Sequence, residues 1–211
     1  MELYIVVAGY SVRRGGSCPR GVRAAEAWRS VVSEAAESSD ATVSRAYLNI
    51  SGPGHLSLVA AFTEAGGLGR LRLELSRWGC VEEAVWWPAY YKESPYARSK
   101  TAEEVVEALK NSKFRFLVAY PMKKSPTWYL EPEEVRRRAM GEHIRIAMER
   151  TRENPVLSVT TYAFGIADYE FLVLYEVDSI PAWIETVEAL RAAEARKWII
   201  REEPVLLGLR L

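Results

Sequence analysis

Histidine and cysteine are both scarce, with two of each in 211 residues. Cys18 and Cys80 have no metal-ligand spacing and are too few for a disulfide framework, so they read as reduced, structural thiols. No HExxH pair, glycine-rich phosphate loop or nucleophile elbow occurs. A nucleophilic triad would have to use the second histidine as its base, and His55, in SGPGHLS, reads as a turn residue. Charge of one sign is lacking too: Lys+Arg and Asp+Glu are both 28, without the basic excess of a nucleic-acid binder. No apolar run approaches the roughly 18 residues of a membrane span, and no signal-like segment opens the chain. A cytoplasmic protein without membrane or nucleic-acid partners is therefore expected. No long Pro, Ser or Gly tract appears, and 49% of the residues are hydrophobic, enough for a sizeable core.

What is present is one pattern written twice. Residues 3–9 and 114–120 read as buried strands, each followed by an amphipathic helix, at 20–38 and 132–151. Paired strands follow at 42–49 with 56–63, and at 156–163 with 169–176. A further helix (66–78, 180–198) and a closing strand (82–87, 204–210) complete each half. The order β-α-β-β-α-β is that of a ferredoxin-like unit. The expected fold class is α+β, with duplicated ferredoxin-like units forming a dimeric α+β barrel. Its parts would be an N-terminal half at 1–100, a connecting helix at 101–112 and a C-terminal half at 113–211. Thr101 and Glu104 predict a capping box for the connecting helix.

The helix at 132–151 starts on Pro132, with Glu133 and Glu134 in its first turn. Its spacing puts Ala139, Met140, His143, Ile146 and Ala147 on one apolar face. An inward imidazole there is either a core histidine bonded to a carbonyl or a metal or haem ligand. In the last helix Trp183, Val187, Leu190 and Trp198 form an apolar stripe that Glu194 interrupts. A carboxylate is costly to bury without a partner. Glu194 either orients His143, as carboxylates commonly do for ligating histidines, or turns to solvent, Arg191 or Arg201.

The second half resembles the chlorite dismutase superfamily, which includes chlorite dismutases and coproheme decarboxylases. The residues that carry the resemblance are YPMKK…WY…EE…M..H from Tyr120 to His143, then FGIADYEF, then EARK…EEPVLLG. It covers about 114–211 closely and the first half by element order. The resemblance implies that His143 is the proximal ligand of a haem iron and Glu194 its hydrogen-bonded carboxylate. It also implies that Tyr120 lies beside a porphyrin propionate, with Lys124 and Trp128 lining that side of the pocket. Lys123 beside them reads as a solvated loop residue. Counting back from Gly165 puts the distal position at Ser158; counting forward from His143 gives Val156. Neither is the arginine typical of chlorite dismutases, and a serine would give oxyanions only a weaker, uncharged hydrogen bond.

The resemblance thus implies a haem-dependent oxidoreductase, most concretely a peroxide-dependent coproheme decarboxylase. The cofactor would be haem, as iron coproporphyrin or protohaem; the partners would be a porphyrin and peroxide or a small oxyanion. A chlorite dismutase or haem peroxidase is the alternative enzyme. A non-catalytic haem-binding or structural oligomer is the alternative of another class. A homo-oligomer, most often a pentamer in such proteins, is also implied, with Trp86 and Trp87 as candidate contact residues.

Overall fold

The computed structural model describes residues 1–13, 15, 18–96 and 100–211. Strand β1 (Tyr4–Val12) leads to helix α1 (Val22–Ser38), strands β2 (Val43–Ser51) and β3 (Leu56–Phe62), helix α2 (Ala65–Ser76) and strand β4 (Val81–Tyr90). Helix α3 (Ala102–Asn111) connects to β5 (Phe116–Lys124), the short α4 (Pro126–Leu130) and the long α5 (Glu133–Thr151). Strands β6 (Leu157–Tyr162) and β7 (Phe171–Val177), helix α6 (Ile180–Leu190), a 3-10 turn (Glu194–Trp198), β8 (Ile199–Arg201) and β9 (Leu206–Arg210) follow. The mixed α+β class and the twice-written element order are as expected.

The strands form one sheet in the order β7-β6-β4-β1-β3-β2-β9-β5-β8, and β7 also pairs with β5. That pairing brings the sheet back on itself. Side chains alternate across it, as strand geometry demands. Leu3, just before β1, and Ile5 and Val7 within it join Val59, Ala61, Leu117, Leu172 and Leu174 in the inner core, to which α3 adds Val105, Val106 and Leu109. Val6, Ala8 and Tyr10 point outward with Leu58, Ala60 and Phe62, under Trp28 and Val32 of α1 and Leu71 and Leu75 of α2.

Local chemistry explains several boundaries. Thr101 and Glu104 form the expected capping box, each satisfying the other's backbone N–H. At the β2–β3 turn Gly54 has a positive φ of 80°, and a Cβ there would lie 2.6 Å from the backbone oxygen of Tyr10, so only glycine fits. His55 closes that turn, its Nδ1 accepting the N–H of Val12 at 3.1 Å.

Three expectations need correction. Cys18 and Cys80 are not free thiols; they are disulfide-bonded, with Cα atoms 5.3 Å apart. Sixty-two positions of sequence hid a juxtaposition that the fold creates by returning the chain to the start of β4. Trp87 is not an exposed contact residue: it belongs to the inner core at 6% exposure, because it faces Val7 across the β1–β4 ladder. Trp86, on the other face, is half-buried beneath the guanidinium of Arg72. Finally, the last helix stops at Leu190, and 194–198 form a separate 3-10 turn. No helix among the described residues is long and apolar enough to cross a membrane.

Candidate cofactor site

The two helical layers differ in how tightly they close. Helix α1 buries Ala24, Ala25, Trp28, Val32, Ala35 and Ala36 against the sheet. Helix α5, two residues longer, buries only Ala139, and α6 only Thr186. Met140, His143, Ile146 and Ala147 of α5, with Trp183, Val187 and Leu190 of α6, are merely half-buried. An inward apolar face left half-covered has not found its full packing partner.

The sheet face beneath these helices follows from register. Tyr120 lies opposite Val173, Val118 opposite Tyr175, and Ser158 opposite Tyr175 on its other side. Paired residues share a face, so Tyr120, Tyr175 and Ser158 all project to the outside of the closed sheet. Leu157 and Val159, flanking Ser158, point into the inner core. Ser158 is exposed on the outer face, and Val156 precedes the strand. The Tyr120 ring lies 6.2 Å from that of Tyr175 between centroids, and burial first, then neighbouring Tyr175 and Glu202, push its pKa far above the usual tyrosine value.

His143 rises from α5 over this region. Burial foremost, then the charge of Lys124, lower its pKa below the usual histidine value, while Glu202 opposes. The neutral imidazole is the ligand-competent form. Lys124 is 6% exposed, and among the described residues no carboxylate forms an ion pair with its ammonium, Glu170 acting only from a distance: Nζ lies 3.4 Å from the Trp128 ring centroid and 3.7 Å from Met140 Sδ. Burial pushes this lysine down to about 8. A second cation stands nearby, because the charge of Arg136 bears on Lys124 and the buried Nε of Arg136 has no hydrogen-bond partner. Lys123 pairs across to Arg201 on β8 rather than lying in a loop. Trp128 is fixed by edge-on packing against Trp198, with centroids 5.2 Å apart, and by Tyr96.

Glu194 does not occupy the position its helical spacing implied. Because α6 ends early, Glu194 opens the 3-10 turn, its N–H donating to Glu142 Oε2 at 2.6 Å. Its carboxylate pairs with Arg138 at 3.1 Å and with Lys197 at 3.3 Å, not with Arg191, Arg201 or His143. Arg191 instead pairs with Glu202 at 2.5 Å, and Arg196 shares that carboxylate. Arg136, Tyr175 and Glu202 escaped the sequence reading. The alternation Phe171, Val173, Tyr175 marks a common face, but only the β5–β7 register sets Tyr175 beside Tyr120.

These residues suit a flat, anionic, metal-bearing group: half-covered apolar helix faces, an imidazole without a hydrogen-bond partner among the described residues, a buried lysine and a half-buried arginine. The described residues contain no group of three or more His, Cys, Asp or Glu side chains placed to hold an ion. A metal at His143 would therefore have to bring its remaining ligands with it. A cavity of about 950 Å³ lies elsewhere, between α1 and the sheet beside His55 and Leu211.

Comparison with known proteins agrees. The chain is 32% identical over 96 residues to the coproheme decarboxylase of Mycolicibacterium smegmatis, a match spanning 46% of this chain and 40% of that protein's length. The crystal structure of TA0507, provisionally a chlorite dismutase, superposes with a TM-score of 0.83 at 29% identity, covering 100% of this chain and 95% of that one. A haem-binding protein from Thermus thermophilus gives a TM-score of 0.78 at 18% identity, covering 100% and 92%. A point variant of the chlorite dismutase from Candidatus Nitrospira defluvii gives 0.76 at 18%, covering 99% and 91%. These last two share the fold. The family model of chlorite dismutase matches residues 22–211, and the chain belongs to the chlorite dismutase family.

Proposed function

We propose that this protein is a haem-dependent oxidoreductase whose substrate is iron coproporphyrin, decarboxylated at the expense of peroxide. The observation that carries the reading is the pairing of a half-buried His143 with the buried Lys124, whose ammonium has no ion-pair carboxylate among the described residues. His143 would ligate the iron through neutral imidazole. Lys124 and Arg136 would receive a propionate, which offsets the cost of the buried lysine and gives the Arg136 Nε a partner. Trp128 holds the lysine in place from one side. Glu194 would serve as the carboxylate partner of His143 by exchanging Arg138 for the ring N–H when the metal is bound.

The bound iron porphyrin supplies the oxidising power that peroxide delivers. Tyr120 would give up its hydroxyl hydrogen to that oxidant and take one from the neighbouring propionate methylene, and the carbon radical left behind would pass a second electron to the same oxidant as CO₂ leaves. Per propionate, one peroxide and one proton are consumed, and one vinyl group, one CO₂ and two waters are formed. The uncharged Ser158 on the outer face argues against chlorite as substrate, since it offers an anionic oxygen species no cation. We further infer a homo-oligomer, as the family resemblance implies.

Titrating the purified protein with coproheme and with protohaem, followed by mass spectrometry of the porphyrin after peroxide, tests the reading. Loss of 44 mass units of CO₂ plus two hydrogens per propionate is expected from coproheme. Rapid oxygen release from chlorite with an unaltered porphyrin would replace it by the chlorite dismutase reading.

A further inference from the structure

Tyr120 has a neighbour that ligand binding and propionate recognition do not need. Tyr175 on β7 sits diagonal to it on the outer face of the sheet, with ring centroids 6.2 Å apart and planes inclined by 34°. The two phenols are near enough to bear on each other's ionisation. On the far side of Tyr175, the indole of Trp183 from α6 packs at 4.5 Å between centroids. A tyrosine here is not a packing necessity, because Val118 and Val173 fill the adjoining positions with apolar side chains. Burial holds both phenols in the protonated form, so the pair consists of two chemically equal O–H groups on neighbouring rings.

We propose that Tyr120 and Tyr175 act as a pair sharing a single oxidising equivalent, with Tyr175 positioning the Tyr120 hydroxyl before oxidation and storing the radical after it. Once Tyr120 has lost its hydrogen, Tyr175 turns its own O–H toward the bare oxygen. The O–H bond of Tyr175 breaks and that of Tyr120 re-forms; one electron and one proton cross together. Tyr175 is left as a neutral radical and Tyr120 as a phenol. Because donor and acceptor are the same group, the exchange is close to thermoneutral and needs no oxidant beyond the one that oxidised Tyr120. Trp183 holds the Tyr175 ring against this partner. The inference rests on the reading of Tyr120 as the oxidised residue, and it adds a reservoir that keeps the equivalent available while the propionate is seated.

Two measurements decide it. In apo-protein labelled with ¹³C at the tyrosine carbon bearing oxygen, the Tyr120 resonance, assigned by its loss in Tyr120→Phe, should shift in Tyr175→Phe. An unmoved resonance would show that the two hydroxyls do not interact and would overturn the pair. In coproheme-loaded protein, 3-aminotyrosine placed at position 175 is a more easily oxidised trap. After peroxide it should give an aminotyrosyl signal by electron paramagnetic resonance, and CO₂ yield should fall severalfold. Undiminished CO₂ release without that signal would equally overturn the proposal. Failure of wild-type protein to bind coproheme sinks the decarboxylase reading instead, and the apo-protein measurement still decides the pair.

Discussion

Lys124 is destabilising where it stands, since the cost of burying its charge outweighs the attraction of the Glu170 carboxylate. Its folded-state pKa, about 8, lies below the ordinary 10.5. The unfolded chain therefore binds more protons between those values, and stability rises with pH across that window. Below it the penalty is fully present; above it the penalty vanishes. Lys124→Met should stabilise the apo-protein by about 2–3 kcal/mol near neutrality and by almost nothing at pH 11. The same variant should bind coproheme more weakly, because the cation facing the propionate is gone. Urea denaturation at several pH values and a coproheme titration check both arms. For His143, the expectation is that His143→Ala abolishes the Soret band of reconstituted protein and leaves the far-ultraviolet circular dichroism intact. Unchanged haem affinity in that variant would return His143 to an ordinary core residue. The residue types were legible in sequence because a lone histidine and a carboxylate on apolar stripes are chemically conspicuous. Their partners were not, since Arg138 reaches Glu194 across 56 positions of chain and only packing brings them together.

At the scale of elements, α5 and α6 are set apart from α1 by what they leave uncovered. If a flat group fills the space beneath them, hydrogen exchange of α5 and α6 should slow markedly on adding coproheme, while that of α1 and α2 stays as it was. Equal protection of both layers would place the group elsewhere. Helix starts were well marked: Pro132 and the two glutamates for α5, the capping box for α3. Thr101→Ala should cost about 1 kcal/mol of stability, the usual worth of an N-cap, by thermal or urea unfolding. The end of α6 was not legible. The stretch from Arg191 to Trp198 is rich in good helix formers, and propensity alone carries the helix onward. Tertiary contacts overrule it, with Glu142 of α5 capturing the N–H of Glu194 and Glu202 drawing in Arg191. Helix α4 and strand β8 were missed because five and three residues show no period.

Across the whole molecule, the closed sheet is pinned at one end by a buried carboxylate. Glu176 of β7 is 1% exposed, accepts from Tyr47 of β2 at 2.8 Å and from Ser112 at the end of α3, and faces Arg45 Nε at 3.8 Å. It ties both halves to their connector. Glu176→Ala should destabilise by roughly 3–5 kcal/mol, because it strands Arg45 without its anion. Restoring stability by the double change Glu176→Ala, Arg45→Met would confirm the cause. The disulfide acts on the unfolded chain, and closing its loop is worth about 4 kcal/mol on the chain-entropy view. Thermal melts with and without reductant should therefore differ by several degrees.

While the family resemblance singled out Tyr120 and Lys124, the sequence by itself determined the element order, the α+β class, the inward faces of the helices and the candidate residues His143 and Glu194. These follow from periodicity, end signals and residue chemistry, which act over a few neighbouring positions. Tertiary structure alone decided the closure of β5 on β7, the Cys18–Cys80 bond, the pairing of Glu194 with Arg138 and the meeting of Tyr120 with Tyr175. Each joins segments far apart in the chain, and strand register fixes such meetings: a shift of one residue would turn Tyr175 to the opposite face of the sheet.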